Sequence, residues 1–91
     1  MNKLAKIKEQ CKESCILLQG KANKIAAAGK EEEGVQIYNQ IAQLMEELVM
    51  ADKQAVKNII QRARLIEKNL DVWISRAGKE TLSLPWPKIN W

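Results

Sequence analysis

Apolar residues recur every three or four positions along three stretches of the chain, and this spacing predicts three amphipathic α-helices. The first stretch begins after Asn2, a good N-cap residue, and ends at Gly29, which suits a left-handed C-cap. Its apolar stripe comprises Leu4, Ile7, Cys11, Cys15, Leu18, Ala22, Ile25 and Ala26. Gly20 lies inside this stripe without shifting its register, so we expect the helix to continue through it.

The second and third helices are predicted to form a hairpin. The second starts between Lys30 and Gly34, where three consecutive glutamates place negative charge at the positive end of the helix dipole. Its apolar residues spread over almost half of its circumference, so we expect it to contact two other helices. The third opens at Asp52 and ends at Gly78. One long helix through positions 50–53 is an alternative, but Asp52 interrupts the apolar stripe and favours a turn.

Composition supports a helical fold with one modest core. The 91 residues include no Phe and one Tyr, so Leu, Ile, Val, Ala and Met must supply the core, a mixture that favours packed helices. A chain of this length forms a single domain. The sequence therefore predicts an all-α, three-helix antiparallel bundle at residues 1–78, followed by an extended C-terminal tail at residues 79–91.

Charge changes sign along the chain in step with the predicted helices. Residues 1–30 hold seven lysines and two glutamates, a net charge of +5. Residues 31–52 hold six acids and no basic residue, and residues 53–91 hold eight basic residues and three acids. An acidic helix beside two basic ones favours their arrangement as neighbours. Exposed ion pairs each contribute under about 1 kcal/mol, so this pattern bears on arrangement more than on stability.

The tail differs from the rest of the chain, because it contains both prolines and two of the three tryptophans. Pro85 and Pro87 prevent the third helix from continuing and favour extended backbone before them. Large apolar side chains need cover, so the tail either folds back over its own bundle or binds another chain, including by exchange between two copies. The residues predicted to bind a partner are Leu82, Leu84, Trp86, Ile89 and Trp91.

A second candidate surface is a basic stripe on the third helix, away from its apolar seam. The residues predicted as possible phosphate contacts are Lys53, Lys57, Arg64 and Lys68. No aromatic residue is interleaved with them for base stacking, and Asp71 continues the same face. A solvated helix surface is therefore the favoured interpretation, and nucleic-acid binding is the alternative.

No residue pattern indicates a catalytic, cofactor or metal site. The chain has no His, which excludes a His-dependent triad or an imidazole base. Cys11 and Cys15 lie one helical turn apart and are interpreted as two buried free thiols, with metal or redox use in a dimer as the alternative. The sequence shows neither the apolar run of a signal peptide nor that of a membrane span, so we expect a cytoplasmic protein.

These features together favour a non-enzymatic protein–protein interaction module, such as an adaptor, inhibitor, chaperone or immunity-type protein, that uses a helical face and the aromatic tail. The alternatives are an accessory nucleic-acid-binding protein and a purely structural homo-oligomeric subunit. Ile16 and Leu17 make one turn of the first helix apolar nearly all round, which indicates either the bundle centre or a subunit contact. We therefore also expect a homo-oligomer.

Overall fold

The protein is described by a computed structural model that covers residues 2–90, and these residues form three α-helices joined by short turns. Helix α1 spans Lys3–Ala27, α2 spans Glu31–Val49 and α3 spans Lys53–Arg76. Residues 79–90 follow without helix or strand. The predicted all-α bundle is confirmed, and so is the turn that separates the second helix from the third.

Polar side chains fix the start of two helices. The Asn2 side chain accepts a hydrogen bond from the backbone N–H of Leu4, with an Oδ1 to N distance of 3.1 Å. The Asp52 carboxylate accepts one from the N–H of Ala55 at 2.8 Å. Each bond satisfies a backbone donor that the first helical turn leaves unpaired. Both predicted N-caps are confirmed, whereas α2 begins with its acidic first turn and no side-chain cap.

Glycine ends α1 and α3 as predicted. Gly29 and Gly78 have positive φ angles of 106° and 77°, a region of backbone conformation that residues with a Cβ atom rarely adopt. Just beyond each glycine a backbone N–H donates to the carbonyl five residues before it, at 3.0 Å in α1 and 3.1 Å in α3. The N–H of each glycine also donates to the carbonyl three residues before it, at 3.2 Å in α1 and 3.0 Å in α3. Each helix thus has both hydrogen bonds of a Schellman motif, which turns the chain sharply out of the helix.

Helix α1 is the centre of the bundle. It contacts α2 most extensively and α3 next, while the two helices of the α2–α3 hairpin contact each other least. Gly34 explains the close approach of α1 and α2, because a Cβ atom there would lie 2.7 Å from Ala26 Cβ and 2.8 Å from the Ala22 carbonyl oxygen. The predicted contact of α2 with two helices is confirmed. An exposed ion pair between Arg62 and Glu47, at 3.0 Å, also joins α3 to α2.

The core is apolar and draws on all three helices. Its buried members are Ile7, Cys11, Cys15, Leu18, Ala22 and Ile25 of α1, Ile41, Leu44 and Leu48 of α2, Ala51 in the turn that follows, and Val56, Ile59, Ile60, Ala63, Leu70 and Ile74 of α3. Ile16 and Leu17 are half exposed, which excludes the bundle centre, the first of the two interpretations offered for them. They lie outside the buried stripe of α1, which already faces α2, α3 and the tail. Within residues 2–90, no helix is long and apolar enough to cross a membrane.

Candidate functional site

A buried ammonium group and two carboxylates join α1 to α3. Lys21 Nζ donates to Glu67 Oε2 at 2.9 Å, to Asp71 Oδ1 at 2.7 Å and to the carbonyl oxygen of Leu82 at 2.7 Å. These three bonds use all three protons of the ammonium group. Lys21 is 7% exposed and Glu67 8%, and charges removed from water to this degree destabilise a fold unless their partners are complete.

Burial and hydrogen bonding oppose each other in setting the charge of this cluster. Burial acts to lower the pKa of Lys21, but its hydrogen bonds to Asp71 and Glu67 outweigh burial and raise that pKa. Burial likewise acts to raise the pKa of Glu67, but hydrogen bonds from Trp86, Lys21 and Leu84 outweigh it and lower that pKa. Lys21 and Glu67 are therefore both charged at neutral pH.

The C-terminal tail docks on this cluster through its backbone and one indole. The Leu84 N–H donates to Glu67 Oε2 at 2.9 Å, and Trp86 Nε1–H donates to Glu67 Oε1 at 2.7 Å. Further along, the Ser14 hydroxyl donates to the Pro85 carbonyl oxygen at 3.0 Å. The contacts move toward the N-terminus of α1 as the tail proceeds, so the tail runs antiparallel to α1 along the α1–α3 groove.

Three of the tail residues predicted to bind a partner pack on the protein's own core. Leu84, Trp86 and Ile89 are half buried against it. Leu82 differs, because its carbonyl oxygen faces the buried ammonium group while its side chain is 76% exposed. Trp91 lies outside the described residues.

A groove of about 620 Å³ remains between the docked tail and α3. Its walls include Lys57, Ile60, Gln61 and Arg64 of α3 and Trp86, Pro87, Lys88 and Ile89 of the tail. Glu67 is the one acid among the described residues that line it, and both of its carboxylate oxygens already accept hydrogen bonds. The groove thus combines apolar walls with a basic rim.

The basic stripe predicted on the third helix is divided by this groove. Lys57 and Arg64 line the groove, next to the tail. Lys68 borders a separate surface depression that Arg64 also lines, and Lys53 lies exposed at the start of α3. The aromatic tail and half of the basic stripe, which are separate candidate surfaces in the sequence, therefore form one surface.

The two cysteines contribute to the core and not to this groove. Cys11 and Cys15 are fully buried and free, which confirms their interpretation as buried free thiols. A hydrogen bond with Cys11 and burial together raise the pKa of Cys15, which keeps that thiol protonated. Among residues 2–90, no group of three or more His, Cys, Asp or Glu side chains is placed to hold a metal ion.

The polar residues that hold the tail were not identified from the sequence, although the heptad spacing contains a signal for them. Ser14 and Lys21 continue the spacing of seven that starts at Ile7, and Glu67 lies seven residues after Ile60. Polar residues at positions where the repeat places apolar ones are typical of buried polar contacts. A basic and an acidic residue at such positions of two helices indicate a buried ion pair.

Comparisons with protein-family models, with curated proteins and with solved structures find no match to this chain. The groove beside the tail is a concave surface with an aromatic residue, apolar walls and a few charged groups, which is the composition typical of a binding site.

Proposed function

We propose that this protein is a non-enzymatic protein–protein interaction module, of the adaptor, inhibitor, chaperone or immunity type, that binds an acidic segment of its partner in the groove between the tail and α3. The observation that carries this proposal is the meeting of two sequence-distant features in one groove. Trp86 and Ile89 of the tail lie across from Lys57 and Arg64 of α3.

The side chains of the groove indicate the chemistry of the partner. Ile60, Trp86 and Ile89 offer apolar surface, and tryptophan is enriched among the residues that dominate binding energy at interfaces. Arg64 and Lys88 add positive charge at the rim, where charge speeds association and selects between partners. The matching segment presents one or two large apolar side chains flanked by Asp or Glu.

The docked tail also supports this proposal through its rigidity. Backbone and indole hydrogen bonds to Glu67 and Ser14 hold the tail wall of the groove before any partner arrives. A pre-formed surface loses less conformational entropy on binding than a flexible one. The same bonds make the tail part of the fold, so its removal would disturb the bundle together with the groove, and single substitutions test binding better than truncation does.

The test is affinity capture from the native cell extract after nuclease treatment, with the wild type compared against Arg64→Glu and Lys68→Glu. Both variants reverse one charge of the same stripe, but of the two only Arg64 lines the groove. We expect a protein that is retained by the wild type and by Lys68→Glu and lost with Arg64→Glu. A partner that all three retain equally would contradict the groove as its binding site.

Nucleic-acid binding is the second candidate, and one observation favours it. Trp86 lines the same groove as Lys57 and Arg64, so an aromatic ring accompanies the basic residues in space although not in sequence. If this groove binds single-stranded oligonucleotides, their affinity falls with added salt at a log–log slope of about 0.7 per contacted phosphate. Binding that is absent at low salt, or unchanged in Arg64→Glu, would exclude this candidate.

Self-association and a cytoplasmic location belong to the same proposal. Ile16 and Leu17 are adjacent and half exposed on α1, which suits a contact with a second copy of the chain. The two free thiols fit a reducing compartment. Sedimentation equilibrium of the wild type and of Ile16→Gln tests the first point, since a wild type that stays monomeric at high concentration would exclude it.

A further inference from the structure

A second concave site lies at the end of the bundle where α1 and α3 terminate. It is a pocket of about 220 Å³ and shares no lining residue with the groove beside the tail. Its apolar lining consists of Ile25, Ala28, Trp73, Ile74 and Ala77. The indole of Trp73 forms one side of this recess between the helix ends.

Four basic residues and no acid line this pocket among the residues that the structure describes. They are Lys24, Lys30, Arg76 and Lys79. Lys24 and Arg76 stand in the last turns of their helices, where the helix dipole favours positive charge. Lys30 and Lys79 lie beyond the helix ends, so the dipole does not account for them.

The ring of Trp73 carries two of these cations. Lys30 Nζ lies 3.9 Å from the ring centroid, and the Arg76 guanidinium carbon lies 5.3 Å from it. Within residues 2–90, neither cation forms an ion pair with a carboxylate. The pocket therefore places two cations beside an apolar cavity. Both cations interact with an aromatic ring and not with a carboxylate.

We propose that this pocket binds a small amphiphilic anion, namely a monocarboxylate with a short apolar body. The apolar body lies against Trp73 and Ile25, and the carboxylate lies near the basic residues that line this pocket. A volume of about 220 Å³ is below the range of about 300–1,000 Å³ that is usual for sites of whole cofactors or drug-sized ligands. A stable protein partner contacts about 20–30 residues on each side, more than the nine that line this recess, so the recess fits a small molecule better.

Hexanoate is a suitable probe, with 1-hexanol as the uncharged molecule of the same length and acetate as the charge without the apolar body. The readout is the indole N–H signal of Trp73 in ¹⁵N-labelled protein, assigned by its loss in Trp73→Phe. We expect hexanoate to shift this signal saturably while the Trp86 indole signal stays in place. Hexanol and acetate are each expected to bind at least about tenfold more weakly, a difference of about 1.4 kcal/mol.

Three variants separate specific binding from general attraction of anions. Arg76→Gln is expected to weaken hexanoate binding about threefold, as is typical of removing one partly exposed charge. Ala28→Leu fills the pocket and is expected to abolish the shift, while circular dichroism verifies that its helices persist. Lys68→Gln removes a lysine of α3 that does not line the pocket and is expected to bind hexanoate like the wild type.

The proposal is overturned if hexanol or acetate binds as tightly as hexanoate, or if Ala28→Leu leaves binding intact. A short peptide with a free C-terminal leucine provides the last comparison. Its binding more tightly than hexanoate would assign the pocket to the C-terminus of a protein and would also overturn the proposal.

Discussion

Three polar side chains occupy core-facing positions of the helical repeat, and each one contacts the tail. Ser14 donates to the carbonyl oxygen of residue 85, and Lys21 donates to that of residue 82. Glu67 accepts hydrogen bonds from the backbone N–H of residue 84 and the indole N–H of residue 86. A buried polar atom without a hydrogen-bond partner destabilises the fold. A tail docked in a shifted register would leave several of these atoms without partners. These residues therefore determine the register in which the tail docks.

Replacing Glu67 with Gln tests this role while keeping the size of the side chain. Lys21, Leu84 and Trp86 all donate hydrogen bonds to Glu67. An amide has one oxygen and one NH₂ group, so in one orientation its NH₂ faces the donors of Lys21 and Leu84, and in the other it faces the donor of Trp86. We expect Glu67→Gln to lower the free energy of unfolding by about 3 kcal/mol, the lower end for a broken buried pair, because Asp71 still binds Lys21. Urea denaturation followed by circular dichroism measures the change.

The matched control is Glu47→Gln, which removes the same charge from an exposed pair with Arg62. Exposed pairs contribute under about 1 kcal/mol, so this variant should remain close to the wild type. Equal losses in both variants would mean that the Glu67 contacts add nothing specific to the fold.

The pH dependence of stability provides a second test of Glu67. Its pKa is lowered in the folded protein, so its stabilising contribution is present above the unfolded value of about 4.3 and is lost as the pH falls through the folded value. Lys21 has a raised pKa, so its contribution is present below the unfolded value of about 10.4 and is lost as the pH rises through the folded value.

The stability difference between the wild type and Glu67→Gln should therefore be constant from about pH 5 to pH 9 and should shrink below about pH 4. Urea denaturation at a series of pH values measures both proteins. A difference that widens as the pH falls from 7 to 5 would mean that the folded pKa of Glu67 is raised and that burial outweighs its hydrogen bonds.

At the scale of the helices, local chemistry is enough to predict most of the structure. Asn2 and Asp52 start helices because their side chains accept hydrogen bonds from the first turn. Gly29 and Gly78 end helices because they lack a Cβ atom and can adopt a positive φ. The close approach of α1 and α2 was not predictable in the same way. Gly34 lies in an acidic stretch that resembles an exposed first turn, and its role depends on alanines of α1 that only the fold brings near it.

Two glycine substitutions with opposite expected signs test this difference. Gly34→Ala places a methyl group 2.7 Å from Ala26 Cβ and is expected to destabilise the protein by about 1–3 kcal/mol. Gly20→Ala meets no atom within 4 Å in the interior of α1 and is expected to stabilise it by about 0.5–1 kcal/mol. Thermal unfolding measures both, and a higher midpoint for Gly34→Ala would contradict the close approach of α1 and α2.

At the scale of the molecule, the tail takes the place that a fourth helix would have in an up-and-down bundle. The sequence restricts it to two options, its own bundle or another chain, because its apolar residues need cover and its prolines exclude a helix. Choosing between these options requires contacts between residues more than 60 positions apart, such as Lys21 with the carbonyl of Leu82. Periodicity carries no information at that separation.

A chain ending at Lys79, with the rest of the tail supplied as a separate peptide, tests how far the bundle depends on this docking. Without the tail, Lys21 and Glu67 lose partners, so we expect the free energy of unfolding to fall by about 3 kcal/mol or more. A peptide of residues 80–91 should raise the unfolding midpoint as its concentration rises, since it binds only the folded bundle. The same peptide with Trp86→Ala should do so much less, because it lacks the indole donor to Glu67. Rescue in trans would also mean that two copies can exchange tails, whereas a truncated chain as stable as the whole and indifferent to the peptide would contradict the tail as part of the fold.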